Sequence, residues 1–362
     1  MIPATTGNQL RPLRLGEILD RAIRLYRRHF IQMIGIVAVV QIPLTLLQLV
    51  GSLLTGQGFN QLFASTAAST ADLLGNLGPG YAAGTALSGL ATLLSYVLVQ
   101  GVATAAITRL VADSYLGHMQ TGVRDAYRRI RGDWLPLVIA LLVTFLLAIG
   151  IFIWWIFIPC IGWITGGGML LFLGWVIFPL QAPVIVLEKQ TVTLAWRRAW
   201  NLARQRFWWL IGFALILYLF NYIVVGAPST IIAALGLLTF GEQGAEAFTG
   251  MLALQAVVQA MVTLMATLLY LPLQISCFIL AYFDLRVRYE GLDMSLAALD
   301  TTTGQPGPPS DQLPAVTPSE KGRQLLVTNR DMGSFAVLTL IFVGLILGLY
   351  SVLLALLLAM VG

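Results

Sequence analysis

Long apolar runs bordered by arginines dominate the pattern of this chain. Residues 31–71, 134–187, 207–241, 247–283 and 332–362 contain no Asp, Glu, Lys or Arg. A helix crosses the hydrocarbon core of a bilayer with about 20 apolar residues. The run 134–187 is therefore long enough for two crossings with a tight turn between them. The pattern predicts seven spans, near residues 31–54, 84–108, 135–158, 164–186, 208–230, 252–282 and 334–360. The fold class this implies is all-α, a polytopic membrane helical bundle. No alternation of about ten residues recurs, so an outer-membrane barrel is a poor description.

A second pattern precedes the spans. Residues 21–35 read RAIRLYRRHFIQMIG and residues 198–212 read RAWNLARQRFWWLIG. Aligning Arg21 with Arg198 also matches Ala22 with Ala199, Leu25 with Leu202, Arg27 with Arg204, Phe30 with Phe207, Ile34 with Ile211 and Gly35 with Gly212. A weaker copy, DAYRRIRGDWLPLVI at 125–139, places Ala126, Arg131 and Trp134 at the alanine, arginine and aromatic positions. Each copy falls before a pair of spans. The expected architecture is three units, each an amphipathic helix (15–29, 121–131, 192–205) followed by a hairpin, with one span appended. In the first amphipathic helix Leu15, Ile18, Leu19, Ala22, Leu25 and Tyr26 follow helical spacing, while Arg14, Arg21, Arg24 and Arg28 take the opposite face. In the third, Val192, Ala195, Trp196, Ala199, Leu202 and Ala203 form the stripe. Such helices can lie in the bilayer interface or pack beneath the bundle as a collar.

The 362 residues are 58% hydrophobic and 10% charged, whereas soluble domains carry about 25% charged residues. Threading the chain through seven spans puts all 21 Lys and Arg residues on one side, in segments 1–30, 109–134, 187–207 and 283–333. The other side receives Asp72, Glu242 and Glu246. The positive-inside rule then places the N-terminus in the cytoplasm and the C-terminus outside a cytoplasmic membrane. The formal charge of +5 follows from this layout. Arginines that border spans suit anionic headgroups, and no recognition motif accompanies them, so nucleic acid is not an expected partner. A cleavable signal peptide is not expected, because the first apolar run follows thirty polar, arginine-rich residues. Cys160 and Cys277 lie inside apolar runs, where neither a disulfide framework nor a metal cluster is expected.

At LRLGEILDRAIRLYRRHF (13–30) the chain resembles the glycerophosphoryl diester phosphodiesterase membrane-domain family of bacterial and archaeal multi-span proteins. APVIVLEKQTVTLAWRRAWNLARQRFWWLIG (182–212) and YFDLRVRYEGLDM (282–294) carry the same likeness, which covers about residues 11–295. The resemblance implies six spans with short cytoplasmic helices. The family takes its name from members in which this region is joined to a phosphodiesterase domain. That chemistry uses histidines with metal-binding carboxylates. This chain has only His29 and His118, both beside arginine-rich segments, and no soluble region large enough for a catalytic barrel.

The layout divides the chain into a six-span domain (1–295), a cytoplasmic linker (296–333) and a C-terminal transmembrane helix (334–362). The linker includes the Pro/Thr/Gly-rich TTTGQPGPPSDQLPAVTPSE at 301–320. Candidate headgroup or anchor residues are Arg21, Arg24, Arg27, Arg28, Arg128, Arg131, Arg198, Arg204 and Arg206. Glu17, Asp20, Glu188, Asp284, Arg286 and Arg288 are candidates for an inter-helix ion-pair network, the alternative being a site that handles a proton or ligand. Gly344 and Gly348 form a G-x-x-x-G surface suited to helix packing. Gln41, Gln48, Gln100, Asn221, Gln255, Gln259 and Gln274 suit interhelical hydrogen bonds, and Pro43, Pro179, Pro183 and Pro272 suit kinks. No paired catalytic acids, activated nucleophile or phosphate loop is present, and no cofactor is expected. The reading is a non-catalytic integral membrane protein, a scaffold or lipid-associated module touching anionic phospholipid headgroups or an unidentified protein partner. A permease or channel, and a membrane accessory to a glycerophosphodiester phosphodiesterase, are the alternatives.

Overall fold

A computed structural model describes residues 11–64, 79–116, 123–130, 132, 134–238, 245–296 and 327–361. Its helices repeat one order, a short helix and then two long ones. The first unit is α1 (Leu15–Arg28), α2 (Phe30–Ala64) and α3 (residues 79–116). The second is α4 (Val123–Ile130), α5 (Trp134–Phe157) and α6 (residues 161–188). The third is α7 (Val192–Gln205), α8 (residues 207–238) and α9 (Ala245–Glu290), and α10 (Asn329–Val361) follows. Among the described residues there is no strand. Seven helices are long and apolar enough to cross a membrane, and the chain is a multi-pass, all-α membrane protein.

The two long helices of a unit are not equivalent. In the most apolar stretch of each, 44%, 67% and 56% of residues are buried in α3, α6 and α9, against 28%, 22% and 28% in α2, α5 and α8. The second helix of every unit is thus the inner one. The outer helices present side chains such as Phe145, Leu146, Phe152 and Ile153 of α5, an apolar surface that would be anomalous in water but matches acyl chains.

Each inner helix also runs further than its predicted span. The charges that marked the expected ends, Arg109 in α3 and Asp284 in α9, are buried. Helix ends need not coincide with the first charge when that charge is satisfied inside the protein. The expected tight turn in the run 134–187 falls at residues 158–160, where Cys160 takes a positive φ of 62°. Gly291, at φ 62°, ends α9, the usual place for a left-handed residue after a helix.

The inner and outer helices also carry π-helical turns, at Leu98–Ala103, Leu173–Ile177 and Tyr222–Gly226. Pro179 lacks the N–H that the Trp175 carbonyl would normally receive, and Trp175 lies inside the second π turn, which ends at Ile177. Pro43, Pro183 and Pro272 lie inside continuous helices. Polar pairs join helices in the apolar interior. Ser95 donates to Gln41 at 3.4 Å, and Gln181 donates to Thr144 at 2.8 Å.

The amphipathic helices pack on the bundle. In α1 Ile18 and Ala22 are buried, and in α7 Ala195, Ala199, Trp200, Leu202 and Ala203 are. The alanine common to the three sequence copies is buried each time, at 0%, 5% and 0% exposure for Ala22, Ala126 and Ala199. A small side chain there lets each short helix approach the long ones closely. Arg21 and Arg198, matched in the sequence, behave alike too. Arg21 donates to Tyr115 near the end of α3, and Arg198 to Glu290 at the end of α9.

The last helix docks on α6 through glycines that the sequence pattern did not single out. A Cβ built on Gly168 would lie 2.1 Å from the Phe335 carbonyl oxygen, and the Gly168 amide donates to Thr339 at 2.6 Å. Phe335 then enters an aromatic cluster with Phe172, Trp200 and Phe207. Gly344 and Gly348 have nothing within 4 Å of the Cβ position, so among the described residues this pair does not pack α10. Of the predicted linker, residues 297–326 lie outside the described residues.

Candidate functional site

The charges gather at one end of the bundle, where α6 and α9 finish and α1 and α7 cross them. Glu188, the last residue of α6, has a fully buried side chain. A carboxylate in that position is unfavourable unless donors replace its water. Tyr282 of α9 donates to it at 2.5 Å, Arg198 of α7 donates through Nε, and the Arg286 Nε lies 3.8 Å away. Glu290 closes the group, accepting from Arg198 at 2.7 Å and from Arg286 at 3.0 Å. Three helices are thereby tied through two carboxylates and two guanidinium groups. Burial works against the charge on Arg198, but Glu188 and Glu290 offset it and raise its pKa above the ordinary arginine value.

Asp284 centres a second group on another side of α9, two residues from both Tyr282 and Arg286. Its carboxylate takes both Nε contacts of Arg288 at 2.9 Å, the Leu13 amide at 2.7 Å and Arg206 at 3.2 Å. Arg288 also donates to the Leu13 carbonyl at 2.6 Å. The side chain of Leu13 is 1% exposed, so the segment before α1 is strapped to the end of α9 by polar and apolar contacts together. On α3, Arg109 and Asp113 are buried at one-turn spacing, and neither is free.

Of the six network candidates, Glu188 and Arg286 fall in the first group and Asp284 and Arg288 in the second. Glu17 joins neither: it pairs with Arg11 at 2.7 Å on the surface and accepts from the Arg14 amide at 3.0 Å. That amide contact comes first among the causes that hold its carboxyl below the usual value. Asp20 is exposed and makes no ion pair among the described residues. Both face away because Ile18 and Ala22 occupy the side of α1 that meets the bundle. Glu290 and Tyr282 were not expected. The spacing of Asp284 to Arg288 and Arg286 to Glu290, four residues each, is the signal that pairs them on one helix.

The headgroup candidates divide. Arg24, Arg27, Arg28 and Arg128 are exposed. Arg21 and Arg198 turn inward as described, and Arg204 lies 3.7 Å from Asp331 of α10. Arg206 occupies the break between α7 and α8, with its guanidinium 4.4 Å above the Trp209 ring. Arg131 and His118 lie outside the described residues. His29, between α1 and α2, has Nε2 3.1 Å from the Ser114 hydroxyl. Burial, helped by Arg28, lowers its pKa, which fits a neutral, packing histidine. Among the described residues no group of three or more His, Cys, Asp or Glu could hold a metal ion.

Among the spaces bounded by described residues, one borders this framework at Arg206 and two lie elsewhere in the bundle. A basic bay of about 600 Å³ is lined by Arg204, Arg206, Trp208, Trp209, Tyr289, Arg330 and Asp331, among others. An apolar groove of about 660 Å³ runs between α5, α6 and the start of α10. A space of about 40 Å³ lies between the inner helices, where Gln100, Thr104, Thr108 and Gln274 meet Pro179 and Pro183. Comparison with protein families, curated proteins and solved structures finds no match to this chain.

Proposed function

We propose that this chain is a non-catalytic membrane scaffold, a lipid-associated module whose basic end lies at the cytoplasmic face and gathers anionic phospholipid headgroups. The observation that carries it is the division of labour among the arginines. Arg198, Arg206, Arg286 and Arg288 are engaged with carboxylates and hold the helix ends together. Arg24, Arg27, Arg28 and Arg128 are exposed on short helices whose apolar sides are packed on the bundle. Such a helix cannot sink into acyl chains, so its basic face serves as a fixed collar at headgroup level. The carboxylates of the framework are occupied by donors, an arrangement that locks helices together.

The permease reading draws on the space between the inner helices. Its volume of about 40 Å³ suits roughly one water molecule, and Asn221 and Gln255 are not among its lining residues.

Each basic residue near an anionic surface contributes about 1 kcal/mol. Full-length protein in nanodiscs should therefore enrich spin-labelled phosphatidylglycerol over phosphatidylcholine in its first lipid shell. Replacing Arg24, Arg27 and Arg28 together by glutamine should reduce that preference several-fold. Equal occupancy by the two lipids in the unmodified protein would overturn the proposal.

A further inference from the structure

The basic bay differs from the exposed collar because it is a recess into which arginines of two segments converge. Arg204 and Arg206 enter from the junction of α7 and α8, and Arg330 from the first turn of α10. Arg206 cannot swing freely, being fixed between Asp284 and the Trp209 ring. Asp331 is the acid that lines the bay among the described residues. One of its oxygens, Oδ2, already accepts from the Thr328 amide at 2.9 Å and hydroxyl at 2.7 Å. The same Oδ2 lies 3.7 Å from Arg204, and Arg206 is paired with Asp284 outside the lining. Three guanidinium groups against one carboxylate still leave the lining itself net positive. Phe207, Trp208 and Trp209 begin α8, while Arg330 and Asp331 begin α10. Two helix starts thus face one space, and the amide groups of a first helical turn favour an anion. The Tyr289 hydroxyl adds a further hydrogen-bonding group to the lining.

We propose that this bay is a specific site for the phosphate group of an anionic lipid. The inference rests on the lipid-associated reading and names the place where one headgroup is held. Guanidinium groups match phosphate oxygens with paired N–H donors, and about 600 Å³ leaves room for the glycerol unit beyond the phosphate. A lipid is the better source than a soluble phosphate ester because the bay opens where two membrane helices begin. Trp208 beside it is 49% exposed, and such indoles mark the boundary between headgroups and hydrocarbon.

The test uses full-length protein in a neutral detergent, with binding of dioctanoyl phosphatidylglycerol read by native mass spectrometry and by calorimetry. Arg204→Gln with Arg330→Gln should weaken binding at least tenfold. Arg27→Gln with Arg28→Gln, on the exposed collar, should change it less than twofold. Arg330→Gln alone keeps the Arg204 contact with α10 and should still weaken binding about threefold, which guards against a folding defect in the double variant. Equal loss in the bay and collar variants would overturn the site while leaving the collar reading intact. Loss of lipid enrichment in nanodiscs with tight binding in the bay would do the reverse. Inorganic phosphate or glycerol phosphate competing at the same concentration as the lipid would overturn the lipid assignment and show a soluble phosphate site instead.

Discussion

Glu188→Ala is expected to lower stability by about 3–5 kcal/mol, the usual cost of leaving a buried charge without its partner. Arg286 is 0% exposed and Glu188 lies between its Nε and that of Arg198. Removing the carboxylate takes an ion-pair partner from both guanidinium groups, which then share Glu290, and removes the acceptor of the buried Tyr282 hydroxyl. Glu188→Gln keeps an acceptor for Tyr282 and should fall between the two. The chain supplies its own probe, because Cys277 is buried and Cys160 exposed. In a Cys160→Ser background, a thiol-reactive dye reports unfolding when Cys277 becomes accessible. The alanine variant should melt on the order of 10 °C lower than its parent. An unchanged melting temperature would mean that the ion-pair framework does not hold the helix ends together.

Much of this architecture was legible before any coordinates. Apolar length and charge sorting gave seven spans, because the bilayer forbids unpaired backbone and charge in the same way everywhere along the chain. The range of α7 was read correctly at 192–205, since its stripe is bounded by polar residues on both sides. The recurrent alanine was visible as a repeat, and its burial at positions 22, 126 and 199 gives the repeat a packing reason. Partners were harder. Periodicity shows which face of a helix is apolar, but an arginine at the end of that helix can meet water or a neighbouring carboxylate. Arg198 and Arg206 look like Arg27 and Arg28 in sequence, yet they reach Glu188 and Asp284, which lie 10 and 78 positions away. The π turns were not foreseen either, because hydropathy is blind to a single extra residue in a turn.

The docking of the last helix tests the same limit from the apolar side. Two glycine patterns compete for it, Gly344 with Gly348 in α10 and the run Gly166 to Gly168 in α6. Among the described residues only the second lies against another backbone. Gly168→Leu should therefore force α10 away, because even its Cβ would overlap the Phe335 carbonyl at 2.1 Å, and overpacking of this kind costs about 1–3 kcal/mol. Loss of the Gly168 amide contact with Thr339 adds about 1 kcal/mol. Gly344→Leu, with open space at its Cβ, should leave the docking unchanged. The geometry also supplies the readout. A Cβ on Gly167 would stand 3.8 Å from that of Thr339, within the range of about 3.5–4.5 Å that a disulfide requires. Gly167→Cys with Thr339→Cys, in the Cys160→Ser background, should form an intramolecular disulfide under mild oxidation. Adding Gly168→Leu should abolish it, and adding Gly344→Leu should not. Efficient crosslinking in the Gly168→Leu protein would show that α10 finds its place through contacts other than this glycine face. The aromatic group of Phe335, Phe172, Trp200 and Phe207 would then be the element that holds it.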